Sequence, residues 1–154
     1  MKKAIHWIIA AAAFVRAEPV QSGILDPEVL IYRFPGVIDD GGTSVVGVAT
    51  MFYCTNFSGN SDNIRLVTRA ADGTLKVNFS LTVQHLETRA FATHDTALFE
   101  VAMNTGAVTH GTTAIAATSI NIICTAMIID AANPTPTGVA LRGIRFNPVP
   151  GSQE

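Results

Sequence analysis

The residues best suited to chemistry form three small groups. His94-Asp95 sets an imidazole beside a carboxylate, a pairing that serves acid/base work or metal ligation. Neighbouring residues of a strand point to opposite faces, so the two cooperate only if they lie on a turn. The sequence therefore favours a solvated turn with Asp95 as a cap. Asp39-Asp40-Gly41-Gly42 offers two carboxylates to a hard cation such as calcium, which takes six to eight oxygen ligands. Two adjacent acids fall far short of that set, and a turn is the simpler reading. Asp39, Asp40, His94 and Asp95 thus stand as metal candidates only, and no cofactor is expected. His85 and His110 fall in connections and are expected to be exposed. G-x-S-x-G, H-E-x-x-H, paired C-x-x-C, phosphate-loop and EF-hand motifs do not occur. These readings lead to a non-enzymatic chain without a catalytic residue, with a small secreted hydrolase or metal-dependent enzyme using His94, Asp95 or Asp39 as the alternative.

Cys54 and Cys124 are the only cysteines. In an oxidising compartment an even count reads as a disulfide, here closing a loop of about 70 residues. That compartment is indicated by the first 17 residues. Lys2 and Lys3 form a basic start, Ala4 to Val15 an apolar run, and Val15-Arg16-Ala17 a small-residue cleavage site. The run is too short to span a bilayer as a helix, so it is expected to be a cleavable signal-peptide helix with no membrane insertion after cleavage. The destination is secreted or periplasmic. Removing 17 of the 154 residues leaves 137. Three of the 10 basic residues leave with them, so seven remain against 12 acidic residues, a net charge of −5. An acidic chain with no run of basic residues argues against nucleic acid. Charged residues make up only 14% of the sequence against about 25% in ordinary domains, which suits a surface that meets a protein partner or copies of itself.

The elements that must position these residues are strands. Leu75, Val77, Phe79, Leu81 and Val83 alternate with Lys76, Asn78, Ser80 and Thr82, the period of a half-buried antiparallel strand. Ile64 to Ala70 precedes it across Asp72-Gly73, a hairpin signal. Two apolar runs, Ser44 to Asn56 and Ile120 to Asp130, carry the cysteines and read as central strands. Val139 to Asn147 shifts phase at Gly143, which predicts a bulge. Val29 to Phe34, Arg89 to Thr93 and Thr112 to Thr118 complete the strands, and Asp95 to Asn104 is ambiguous, with a short helix through Ala97, Leu98, Val101 and Ala102 capped by Asp95 as one reading. The expected fold is an all-β antiparallel β-sandwich of about seven or eight strands. Residues 1–17 are the signal peptide, 18–43 an N-terminal arm or edge strand with a Pro35 to Gly42 linker, and 44–154 the sandwich, in one domain with the arm. An apolar arm, Val29 to Phe34, on such a linker pairs within its own chain on the simpler reading, and on the alternative suits strand donation to a neighbour, giving an oligomer or filament. Asn56-Phe57-Ser58 and Asn78-Phe79-Ser80 match the N-glycosylation acceptor, which matters only in a eukaryotic secretory route.

The order from Asn56 through Asp72-Gly73-Thr74 to Phe91 is a polar turn, a strand, a tight turn, an alternating strand and a short Thr-rich strand. It resembles immunoglobulin-like sandwiches of exported, uncharacterised bacterial proteins, as does the spacing of Cys54 and Cys124. The resemblance covers about two thirds of the mature chain. It departs in having its only tryptophan, Trp7, in the signal, and Ile122 where such domains place a tyrosine two residues before the second cysteine. It implies architecture alone, an immunoglobulin-like sandwich acting as a binding or surface module, and no binding residue follows from it.

Overall fold

The computed structural model describes residues 27–42, 44–98, 100–135 and 137–146. The expected signal peptide and the start of the arm lie outside these residues. Ten strands are present: β1 (Val29–Asp39), β2 (Val48–Asn56), β3 (Asp62–Arg69), β4 (Leu75–Val83), β5 (Thr88–Ala92), β6 (Val101–Ala102), β7 (Val108–Ala117), β8 (Ile122–Asp130), β9 (Gly138–Leu141) and β10 (Ile144–Arg145). They form two sheets, ordered β10-β1-β7-β3-β4 and β6-β5-β2-β8-β9. Every pairing is antiparallel except β5 with β6. The chain is therefore all-β, with two sheets closing on one another as a sandwich.

Alternation decides which side chains close it. Ile64 and Leu66 of β3, Ile115 of β7, Phe34 of β1, and Phe52 and Phe91 of β2 and β5 are all buried in one core cluster. Phe34 meets Phe52 edge-on at 5.6 Å between ring centroids, and Phe79 of β4 meets Phe91 likewise at 6.2 Å. β2 is buried on its other face too, where Ala49 and Met51 join Ala92, Ile129 and Ala131 in a second cluster with Leu98 packed on it. A strand covered on both sides cannot alternate, which explains the continuous apolar run around Cys54. Cys54 and Cys124 are directly opposed in the β2–β8 register and joined by a disulfide, with Cα atoms 4.2 Å apart. The bridge thus lies within one sheet, between neighbouring strands.

Three local expectations are corrected. Pro35 to Gly42 is not a linker as far as Asp39, because β1 runs through Pro35 and Gly36 and pairs with β7 from Val29 to Asp39. Register shifts at Pro35/Val37 and Val37/Asp39, with Gly36 at a φ of 84°, accommodate the two strand breakers as bulges. The same pairing holds the Val29 to Phe34 arm inside its own sheet, between β7 and β10. Gly143 marks more than a bulge: β9 pairs with β8 of the second sheet and β10 with β1 of the first, so the chain changes sheets there. A Cβ on Gly143 would come 2.4 Å from the Phe34 ring, so only glycine lets the chain pass over that ring. No helix forms over the described part of Asp95 to Asn104. Glu100 instead accepts from both the amide and the hydroxyl of Thr96, at 2.8 Å each, and so closes a loop.

Candidate functional site

Asp39 ends β1 in the first sheet, and His94 follows β5 in the second. Their side chains meet across the gap, with His94 Nδ1 2.8 Å from Asp39 Oδ2 and side-chain exposures of only 2% and 0%. His94 is therefore not on a solvated turn. Asp95 is exposed while His94 is buried, so the adjacent pair points apart, and the partner of His94 comes from 55 residues upstream. Asp39 Oδ1 accepts from the Gly41 amide at 2.7 Å. His94 Nε2 lies 3.2 Å from the Val46 carbonyl oxygen. A carbonyl only accepts, so Nε2 carries a proton and donates it.

Asp40, exposed beside this pair, clamps the following loop. Its Oδ2 accepts from Val48 N at 2.9 Å and its Oδ1 from Gly42 N at 3.1 Å. These two amides, Val48 first, hold its carboxyl below the usual range, with burial opposing them and the nearby His94 ring adding to the lowering. Gly47, at a φ of 86°, completes the clamp, since a Cβ there would lie 1.8 Å from Asp40 Oδ2.

The structure thus brings together three of the four metal candidates. Ligand atoms of Asp39, Asp40 and His94 lie within 4.8 Å of one another, while Asp95 stands apart. Each of these atoms already has an internal partner: both ring nitrogens of His94 and all four carboxylate oxygens are hydrogen-bonded. The hydroxyls of Thr50 and Thr93 have partners as well. Thr50 Oγ1 donates to Ile38 O at 2.8 Å, and Thr93 Oγ1 accepts from Thr50 N at 3.0 Å. The arrangement is a clasp joining the two sheets at one end of the sandwich. His85 and His110 are exposed, as expected, but only His85 lies in a connection, since His110 falls within β7. Asn56 is buried and its amide donates to Asn60 O and Val83 O, so only Asn78 of the two glycosylation matches is exposed.

A second feature lies on the outer face of the first sheet. Thr112, Ala114 and Ala116 alternate along β7 and form the floor of a shallow trough of roughly 370 Å³. Arg33 of β1 stands on one side of it, and Arg65 and Arg69 of β3 on the other. Glu28 already seats its carboxylate on Arg65 and accepts from Asn63 Nδ2 at 2.7 Å. No run of basic residues announces this face, because sheet pairing assembles it from positions 33, 65 and 69. The usable signal was period two: Arg65, Val67 and Arg69 share a face, as do the small residues Thr112, Ala114 and Ala116.

The fold and these two features define a disulfide-stapled β-sandwich with a buried inter-sheet clasp. Comparison with known proteins gives no match: no family model fits the chain, and no curated protein or solved structure is similar to it.

Proposed function

We propose that this chain is an exported, non-catalytic β-sandwich module, secreted or periplasmic, that binds an anionic partner on the outer face of its first sheet. The observation that carries the reading is the trough, where Arg33, Arg65 and Arg69 line a floor of small side chains on a chain that is acidic overall, with Arg65 paired to Glu28 and Arg69 also donating to Gly73 O at 2.9 Å. Guanidinium groups take carboxylates and other oxyanions, and the ion pair of Glu28 with Arg65 is one carboxylate held on this face within the molecule. The saturated clasp supports the non-catalytic part, since a general base needs a free nitrogen and a nucleophile in reach. The Cys54–Cys124 disulfide supports an oxidising destination.

Kinship with immunoglobulin-like domains is part of this reading at the level of architecture. Two packed antiparallel sheets support it, although antibody-type bridges join facing sheets and this one joins neighbours.

The test is retention of the disulfide-intact protein on dextran sulfate and polyaspartate matrices against neutral dextran. Binding that weakens with salt, and falls at least tenfold when Arg33→Ala and Arg69→Ala are combined, is expected from the loss of two charged contacts at about 1 kcal/mol or more each. Equal retention of the double variant would sink the proposal.

A further inference from the structure

Sheet edges expose unpaired backbone groups, and natural sandwiches blunt them with short strands, charges, prolines or bulges. Three of the four edges here are blunted in this way. β10 and β6 have two residues each, and β9 has four. The fourth edge is different. β4 has nine residues, is paired with β3 from Leu75 to Val83, and has no partner on its other side among the described strands. It contains no proline, its pairing is regular from Val77 onward, and Lys76 is its only charge. Its inward row is also incompletely covered: Val77, Phe79 and Leu81 pack on the core yet stay partly exposed.

We propose that β4 is a docking edge for a second copy of this chain, paired antiparallel with its own counterpart about a two-fold axis through Phe79. The sequence of β4 selects this occupant. In that register Val77 faces Leu81 of the second copy, Asn78 faces Ser80, and Phe79 faces Phe79. The five regular positions from Val77 to Leu81 all find a partner on the same face, apolar against apolar and polar against polar, while Leu75 and Lys76 lie at the register shift. Phe79, at the centre, gains the aromatic neighbour its half-covered ring lacks on that side. The product is a continuous ten-stranded sheet, the isologous form of strand addition. Because each copy has a single long open edge among the described residues, assembly closes at two copies and does not run on into fibres.

The proposal is independent of the trough. Its test is sedimentation or light scattering of the disulfide-intact protein over a range of concentrations. A mass that rises from one chain to two and stops there is expected. Asn78 and Ser80 are exposed, so Asn78→Lys with Ser80→Lys leaves the fold intact by thermal melt while setting like charges directly opposite one another; the two-chain species should be lost. The register has its own readout that does not depend on that variant. Mixing Asn78→Cys protein with Ser80→Cys protein under mild oxidation should give more cross-linked pairs than either alone. A chain that stays single at all concentrations, a dimer untouched by the two lysines, an open-ended polymer, or no excess of mixed cross-links would each overturn the proposal.

Discussion

His94 and Asp39, 55 residues apart in sequence, join the two sheets through a 2.8 Å contact from which water is excluded. Removing one partner of such a pair leaves the other buried with its polar atoms unmet, which costs about 3 kcal/mol in comparable sites. His94→Ala should therefore lower stability by about that amount in urea denaturation. Because every ligand atom of the clasp already holds a partner that an ion would have to displace or share, calcium or zinc should leave the melting temperature unchanged. A rise of several degrees with either ion would instead make Asp39, Asp40 and His94 a metal site.

The strands were legible because their faces differ. β4 matches its expected bounds from Leu75 to Val83, and its hairpin with β3 turns at Asp72-Gly73, where Gly73 takes a φ of 86°. β1 was read too short because Pro35 and Gly36 are strand breakers in isolation, and bulges opposite β7 absorb them only in the sheet. The C-terminal phase shift was visible, but a shift within one strand and a change of sheet look alike in sequence. The clasp was half legible: Asp39 and His94 were both singled out, each for a neighbour it does not use. Nothing local to either residue states that β1 and β5 end at the same corner of the sandwich.

The disulfide closes a loop with a sequence separation of 70, between two strands paired over nine positions. The dominant effect of the bond is on the unfolded chain, whose freedom it reduces by about 4 kcal/mol in the loop-entropy account. Combining Cys54→Ala with Cys124→Ala should therefore lower the urea midpoint strongly while leaving the β-sheet circular dichroism of the folded state unchanged. A midpoint equal to that of the native chain would show that the reduced unfolded state is already restricted.

Asp40 gives the fold an acid limit. Its folded carboxyl titrates below the unfolded one, so its contribution is present above about pH 4 and is lost as pH falls from there through the lowered folded value. Asp72 acts in the same direction, held low chiefly by the Thr74 amide in the β3–β4 turn. Asp40→Asn removes one of these titrations. The drop in melting temperature between about pH 6 and about pH 3 should be smaller in that variant than in the native chain, with both measured at one ionic strength. An unchanged drop would place the acid sensitivity elsewhere.

Gly143 offers a test of the sheet change that is free of backbone strain, since its φ is not in the left-handed region. A methyl group there would come 2.4 to 2.9 Å from three atoms of the Phe34 ring, which itself packs against Phe52 and is fully buried. The ring has no open space to enter, so Gly143→Ala should cost about 1–3 kcal/mol, the range for overpacking a core. Phe34→Leu alone should also destabilise, through lost contact with Phe52. In the double variant the smaller side chain clears the methyl group, so the combined loss should be less than the sum of the two single losses, a favourable coupling measurable by denaturant titration of all four proteins. Strict additivity would mean that the chain between β9 and β10 does not cross the Phe34 ring.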